Sequence, residues 1–194
     1  MPTGPTVRRT RTHPGPSEPT PGSAADLTPT ADPESVVRTI VLTALTAAPR
    51  SRAQLETRLA AKDAPTDVVA RVLDRFEEVG LVDDAEFARS LVRSRQASRG
   101  LAGRALRQEL RRTGVDDETA SEVLAAIDPD QELATARELV AKRLPATRGL
   151  AVPRRMSRLV GMLARKGYPG GVALQVVREA LAAEGSDVDP DDLG

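Results

Sequence analysis

The sequence contains no cysteine and no tryptophan, one histidine, and three aromatic residues in 194: Phe76, Phe87 and Tyr168. Without cysteine there is no disulfide, no thiolate metal site and no thiol nucleophile, and such usage fits a reducing compartment. His13 lies in a Pro/Thr-rich stretch, which nearly excludes histidine acid–base chemistry and His-ligated metals. So few rings provide no platform for stacking single-stranded bases. No apolar run approaches the roughly 20 residues that span a bilayer. Arg8-Arg9 resembles a twin-arginine start, but no apolar segment follows it, so a secretion signal is rejected and a cytoplasmic protein is expected. There is no phosphate loop and no nucleophile motif, so an enzyme, a cofactor and a metal are not expected. Net charge favours no partner either, because 28 basic residues balance 28 acidic ones.

What the chain does have is a repeated spacing. Leu55 and Leu59 are followed by Val72 and Leu73, Leu106 and Leu110 by Val123 and Leu124, and Leu159 and Leu163 by Val176 and Val177. Successive copies are offset by 51 and then 53 residues. A breaker precedes each copy at Pro49, Gly100 and Pro153, and a turn position follows at Asp63, Gly114 and Gly167. A fixed period of this size marks a repeat architecture, which usually offers an extended surface to a partner and seldom builds a catalytic pocket.

Within each copy the apolar residues recur at helical spacing, as in Val36, Val37, Ile40, Val41, Ala44 and Leu45, and no strand alternation is present. Phe87, Ala88, Leu91 and Val92 repeat that pattern 51 residues on, and the third copy is less regular, with Ala136, Leu139, Val140 and Leu144. The Leu pairs mark second helices, which Gly114 and Gly167 suit as left-handed stops. Third helices should begin near Pro65-Thr66, Asp116-Asp117 and Pro169-Gly170. The expectation is an all-α protein of three tandem three-helix units, 34–82, 83–128 and 129–183, forming an elongated curved array. One such unit is near the lower size limit for independent stability, so the units should support one another. Residues 1–33 hold eight of the fifteen prolines and are expected to be disordered, as is the acidic end at 184–194.

The stretch Gly80-Leu81-Val82-Asp83-Asp84-Ala85-Glu86-Phe87-Ala88 joins the first unit to the second. Gly80 suits a helix stop at positive φ, Asp83 and Glu86 have capping-box spacing, and Phe87 has the phase of a core residue. The Asp83-Asp84 pair could suggest a metal, but adjacent carboxylates at a helix start diverge, and capping is the expected role.

This junction, the Arg93–Arg95 stretch, Arg99-Gly100 and the Leu-Arg-Gln-Glu-Leu-Arg-Arg-Thr-Gly run at 106–114 resemble the RecX family. Arg165-Lys166-Gly167-Tyr168 is similar to the basic–Gly–aromatic element of that family's last repeat. The resemblance covers about residues 34–183. It departs from the pattern at Lys62-Asp63, where a glycine would be usual, and in the two ends. It implies a regulator of the RecA recombinase, with a place in homologous recombination, DNA repair and the SOS response. Such a regulator would lie in the groove of the RecA–DNA filament, limit filament growth, and depress ATP hydrolysis, strand exchange and co-protease activity. It would act as a monomer and have at most weak nonspecific affinity for DNA.

Charge is unevenly placed. Residues 87–115 carry eight arginines against Glu109 alone, whereas 63–86 carry eight acidic residues against Arg71 and Arg75. Arg104, Arg107 and Arg111 fall on one helix face, and Arg154, Arg155 and Arg158 nearly repeat this in the third unit. These six, with Arg93, Arg95, Arg99, Arg112, Arg165 and Lys166, are the candidate contacts to a filament of acidic protein groups and phosphates. The bland alternative is that the arginines only solvate exposed helices. Gly80, Asp83, Asp84, Phe87, Gly114, Gly167 and Tyr168 are expected to be structural, with Phe76 and Phe87 in the core and Tyr168 in a core or capping position. A second functional reading is a helix-turn-helix-like protein that binds DNA directly. Against it, the basic residues crowd the second helices and leave the third ones, such as 118–127, acidic or apolar.

Overall fold

The computed structural model describes residues 32–186, and the expectations for 1–31 and 187–194, including His13, Arg8 and Arg9, lie outside the described residues. Between these limits are nine α-helices and no strand. They form three triplets: α1 Pro33–Ala47, α2 Arg52–Ala60 and α3 Thr66–Glu78; α4 Asp84–Arg99, α5 Gly103–Arg112 and α6 Asp117–Ala125; α7 Pro129–Arg143, α8 Val152–Arg165 and α9 Gly170–Ser186.

Each triplet buries its own apolar faces. The first core gathers Val37, Val41, Leu55, Leu59, Leu73 and Phe76, the second Ala88, Val92, Leu106, Leu110 and Ala120, and the third Ala136, Val140, Leu159, Leu163, Val176 and Val177. All six leucines of the repeated pairs are at most 1 % exposed, and burying each contributes about 1.5–3 kcal/mol. The spacing works because residues four apart share one face of a helix.

The third unit is irregular for a visible reason. Ala136 and Val140 stand 48 residues after Ala88 and Val92, so its first helix arrives early. A 3-10 turn at Leu144–Thr147 then fills the longer connection to α8. Pro153 is inside the first turn of α8, where a missing N–H costs nothing, and not in the linker as Pro49 is.

Several expectations need correction. Helix α9 runs on to Ser186, so Glu184 belongs to a helix and not to a disordered end. Ion pairs from Arg148 and Arg155 hold its carboxylate there. Pro33, assigned to the N-terminal stretch, is the first residue of α1. Phe87 is only half-buried at the edge of the second core, whereas Phe76 is fully inside the first. Asp83 does cap α4, accepting from the Glu86 N–H at 2.8 Å, but Glu86 does not reach back. Its carboxylate instead takes Arg89 and Arg93, both at 2.9 Å. The reciprocal box is at Ser51 and Gln54, at the start of α2. The sequence Ser51-Arg52-Ala53-Gln54 carries that signature in plain view.

Candidate partner-binding surface and the joints that carry it

Two quasi-equivalent joints connect the triplets. In the first, the N–H of Arg52, the opening residue of α2, donates to the Asp84 carboxylate at 2.8 Å. In the second, the N–H of Gly103, the opening residue of α5, donates to the Glu132 carboxylate, also at 2.8 Å. Both carboxylates come from the first turn of the next unit's first helix. Each thereby satisfies an orphan donor at the positive end of a helix.

The turn between the second and third helices of the next unit closes each joint. At the first, the buried Ser51 hydroxyl donates to the Thr113 carbonyl. At the second, the Ala102 N–H donates to the Lys166 carbonyl at 2.8 Å. Gly114 and Gly167 follow, at φ +79 and +93. A Cβ on Gly167 would come within 2.7 Å of the Ala105 methyl and 2.9 Å of the Ala102 carbonyl. In the first unit the same turn carries Asp63 at φ 55, with an exposed side chain. Among the described residues no unit precedes it, so nothing packs where Gly114 and Gly167 meet a neighbour. The departure at Lys62-Asp63 thus has a steric explanation.

Tyr168 adds to the second joint. It is 2 % exposed, and its hydroxyl donates to the Gly100 carbonyl at 3.2 Å. Burial, helped by the charge of Glu132, pushes its pKa up to about 12, so it remains a donor at any ordinary pH. The Lys166 ammonium donates to the neighbouring Arg99 carbonyl. Lys166 and Tyr168 therefore fasten the joint, and the lysine is not a free cation.

The other candidate contacts fall into distinct groups. The guanidiniums of Arg104, Arg154, Arg158 and Arg165 have no hydrogen-bond or ion-pair partner among the described residues, and all four residues are exposed. Arg107 donates to the Ser121 hydroxyl at 2.9 Å, and Arg111 grips Asp117 through two bonds of 2.8 and 3.1 Å. Arg93 is paired with Glu86. Arg95, Arg99 and Arg112 converge on the single carboxylate of Glu109, at 3.5, 3.2 and 2.9 Å. Arg155 differs from its helix neighbours: its side chain is only 12 % exposed, paired with Glu184 and bonded to the buried Thr147 hydroxyl. The matched arginine faces of α5 and α8 are therefore not equivalent.

Sequence reasoning missed Arg50 and Arg58. They line a groove of about 560 Å³ beside the first joint, together with Arg111 and Arg112. Neither has an ion-pair partner among the described residues, and Arg50 is half-buried. Neither belongs to an arginine-rich run in sequence, and only the seating of the second unit on the first brings them to Arg111 and Arg112.

Three-helix units, glycine turns seated on the starts of preceding helices, and arginine-lined joints define a tandem helical-repeat protein. Sequence models of the first, second and third three-helix domains of RecX match residues 38–76, 83–124 and 130–177. The chain belongs to the RecX family of regulatory proteins. It is 55 % identical to the regulatory protein RecX of Thermobifida fusca over 152 residues, covering 78 % of this chain and 82 % of that one. Identity to the Streptomyces coelicolor protein of the same name is 49 % over 161 residues, covering 83 % and 86 %. Among solved structures, RecX from Lactobacillus salivarius superposes with a TM-score of 0.71 at 19 % identity, covering 77 % of this chain and 97 % of that one. No helix among the described residues is long and apolar enough to cross a membrane.

Proposed function

We propose that this protein regulates the RecA recombinase by binding RecA and RecA–DNA filaments. It lies in the filament groove with its units, 34–82, 83–128 and 129–183, bridging neighbouring recombinase subunits. A bound array blocks addition at the growing end or holds subunits away from the ATP-competent arrangement. ATP hydrolysis, strand exchange and co-protease activity fall as a result. The protein carries out no chemistry and needs no cofactor; any ATP consumed belongs to the partner. It acts in the cytoplasm, as a monomer, in recombination, repair and the SOS response.

The observation that carries this reading is the set of exposed arginines without partners, Arg104 on α5 and Arg154 and Arg158 on α8. Cations that the fold itself does not engage remain available to carboxylates and phosphates of a large partner. The paired members of the candidate set (Arg93, Arg95, Arg99, Arg107, Arg111 and Arg112) keep exposed or half-exposed guanidiniums that exchange partners at small cost. Arg165 flanks this group.

The test is the DNA-dependent ATPase of the cognate recombinase, preassembled on single-stranded DNA. Arg104→Glu with Arg107→Glu should weaken inhibition while leaving the circular dichroism unchanged. Undiminished inhibition by a folded double variant would remove this face from the interface. No effect of the wild-type protein on the ATPase, alongside salt-sensitive binding to free DNA, would favour a direct DNA-binding regulator.

A further inference from the structure

The groove at the first joint has a counterpart at the second. A smaller groove of about 300 Å³ there is lined by Leu101, Ala105, Gln108, Glu109 and Arg112. These stand 51 residues after Arg50, Gln54, Thr57, Arg58 and Ala61, which line the first groove. Arg165 stands 53 residues after Arg112, which lines both. The two are therefore one feature built twice, at each place where a unit seats on its predecessor.

They differ in what fills them. In the second groove Glu109 supplies a carboxylate, and Arg95, Arg99 and Arg112 close around it. Partial burial works against its ionisation, yet the Arg112 and Arg95 guanidiniums more than offset this and hold its carboxyl below the usual glutamate range. In the first groove the position of Glu109 is taken by Arg58. No acidic side chain lines that groove, and four arginines do. Arg111 and Arg112 are paired outside it with Asp117 and Glu109, which leaves Arg50 and Arg58 without an ion-pair partner among the described residues. On its far side Arg50 approaches Asp83 and Glu86, but those carboxylates are engaged by the Glu86 N–H and by Arg89 and Arg93.

We propose that the first groove is a binding site for an acidic peptide segment of a protein partner. A Glu or Asp carboxylate enters between Arg50 and Arg58, beside the Arg112 guanidinium that Glu109 already engages from the other side. The pairing of Glu109 is a chemical precedent, not a positional one, because Arg95, Arg99 and Arg112 stand 51 residues after Ala44, Ala48 and Ala61. The inference rests on the reading above only in taking the partner to be a protein. Glu109 is the internal precedent for a carboxylate ligand, and a half-buried arginine without a counter-ion gains most from one. No aromatic side chain lines either groove, so a nucleobase finds no ring to stack on.

The variant Arg58→Glu places a carboxylate where Glu109 stands in the second groove, so the first groove becomes occupied by its own side chain. The probe is a short fluorescein-labelled peptide of alternating Glu and Ala, followed by anisotropy with the full chain, beside a labelled oligothymidine of equal charge. The wild-type protein should bind the peptide, and Arg58→Glu should weaken binding about tenfold or more with unchanged circular dichroism. Arg50→Ala, a milder change, should weaken it several-fold. Wild-type binding by both folded variants, binding of oligothymidine alone, or no peptide binding at all overturns the proposal. The assay contains no recombinase, so its failure leaves the filament reading intact, and a failed ATPase test leaves the peptide site standing.

Discussion

Gly114 of the second unit lies directly on Ala53 of the first: a Cβ at Gly114 would overlap the Ala53 methyl group. The two residues are 61 positions apart and belong to different helical triplets. Their contact fixes how closely one unit can seat on the other, so the joint depends on the absence of a side chain.

Gly114→Ala should therefore destabilise the protein by about 2–4 kcal/mol, combining left-handed strain with overpacking against α2. Gly80 is the control. It has φ +70 but open space around its Cα, so Gly80→Ala should cost only about 1 kcal/mol. Thermal or urea unfolding of the two variants separates steric from conformational cost. Equal losses would mean that the close approach at Ala53 is relieved without penalty.

Arg155 and Arg158 are neighbours on one turn of α8 with opposite expected behaviour. Arg155→Ala removes a nearly buried guanidinium from Glu184 and Thr147, and should cost about 1–3 kcal/mol. Arg158→Ala touches no partner and should change stability by less than about 0.5 kcal/mol. Denaturant midpoints report both effects, and Arg158→Ala should instead weaken recombinase inhibition. An Arg155→Ala protein of wild-type stability would show that packing and the Arg148 ion pair suffice to hold the α9 end.

Stability should fall in acid. Arg148 and Arg155 hold the Glu184 carboxyl below its usual range, Arg111 does so for Asp117, and the Thr119 hydroxyl and N–H do so for Asp116. Glu109 behaves likewise. A carboxyl lowered in the fold stabilises it above the unfolded value and ceases to do so as pH falls through the folded value. Asp84 has the opposite sign: burial raises it, so the fold tolerates its protonation better than the unfolded chain does. The lowered groups are more numerous. Melting temperature should hold from about pH 7 to about pH 5 and then drop, and Glu109→Gln should flatten the drop. A flat profile to about pH 3 would show that these ion pairs are fully screened.

The helices and their cores were legible in the sequence because both depend on residues three and four apart. Leu55 and Leu59, or Leu106 and Leu110, lie on one face wherever the helix is placed. The third-helix starts at Thr66, Asp117 and Gly170 were legible for the same reason, since turn chemistry is local. Arg104, Arg107 and Arg111 were correctly placed on one helix, yet their states differ, because Ser121 and Asp117 come from α6.

By itself, then, the sequence determined an all-α chain of three units, the glycine turns at Gly114 and Gly167, and membership in a family of regulatory proteins. Only the tertiary structure decided what those turns are for. Seating each turn on the preceding unit brings Gly114 to Ala53, Gly167 to Ala105 and Tyr168 to Gly100. It also gathers Arg50 and Arg58 with Arg111 and Arg112, and settles Arg155 as a structural residue and Arg154 and Arg158 as free cations. The physical reason is range. Helix periodicity is written in neighbouring residues, whereas a joint is a fit between surfaces 29 to 68 residues apart, which no local pattern encodes.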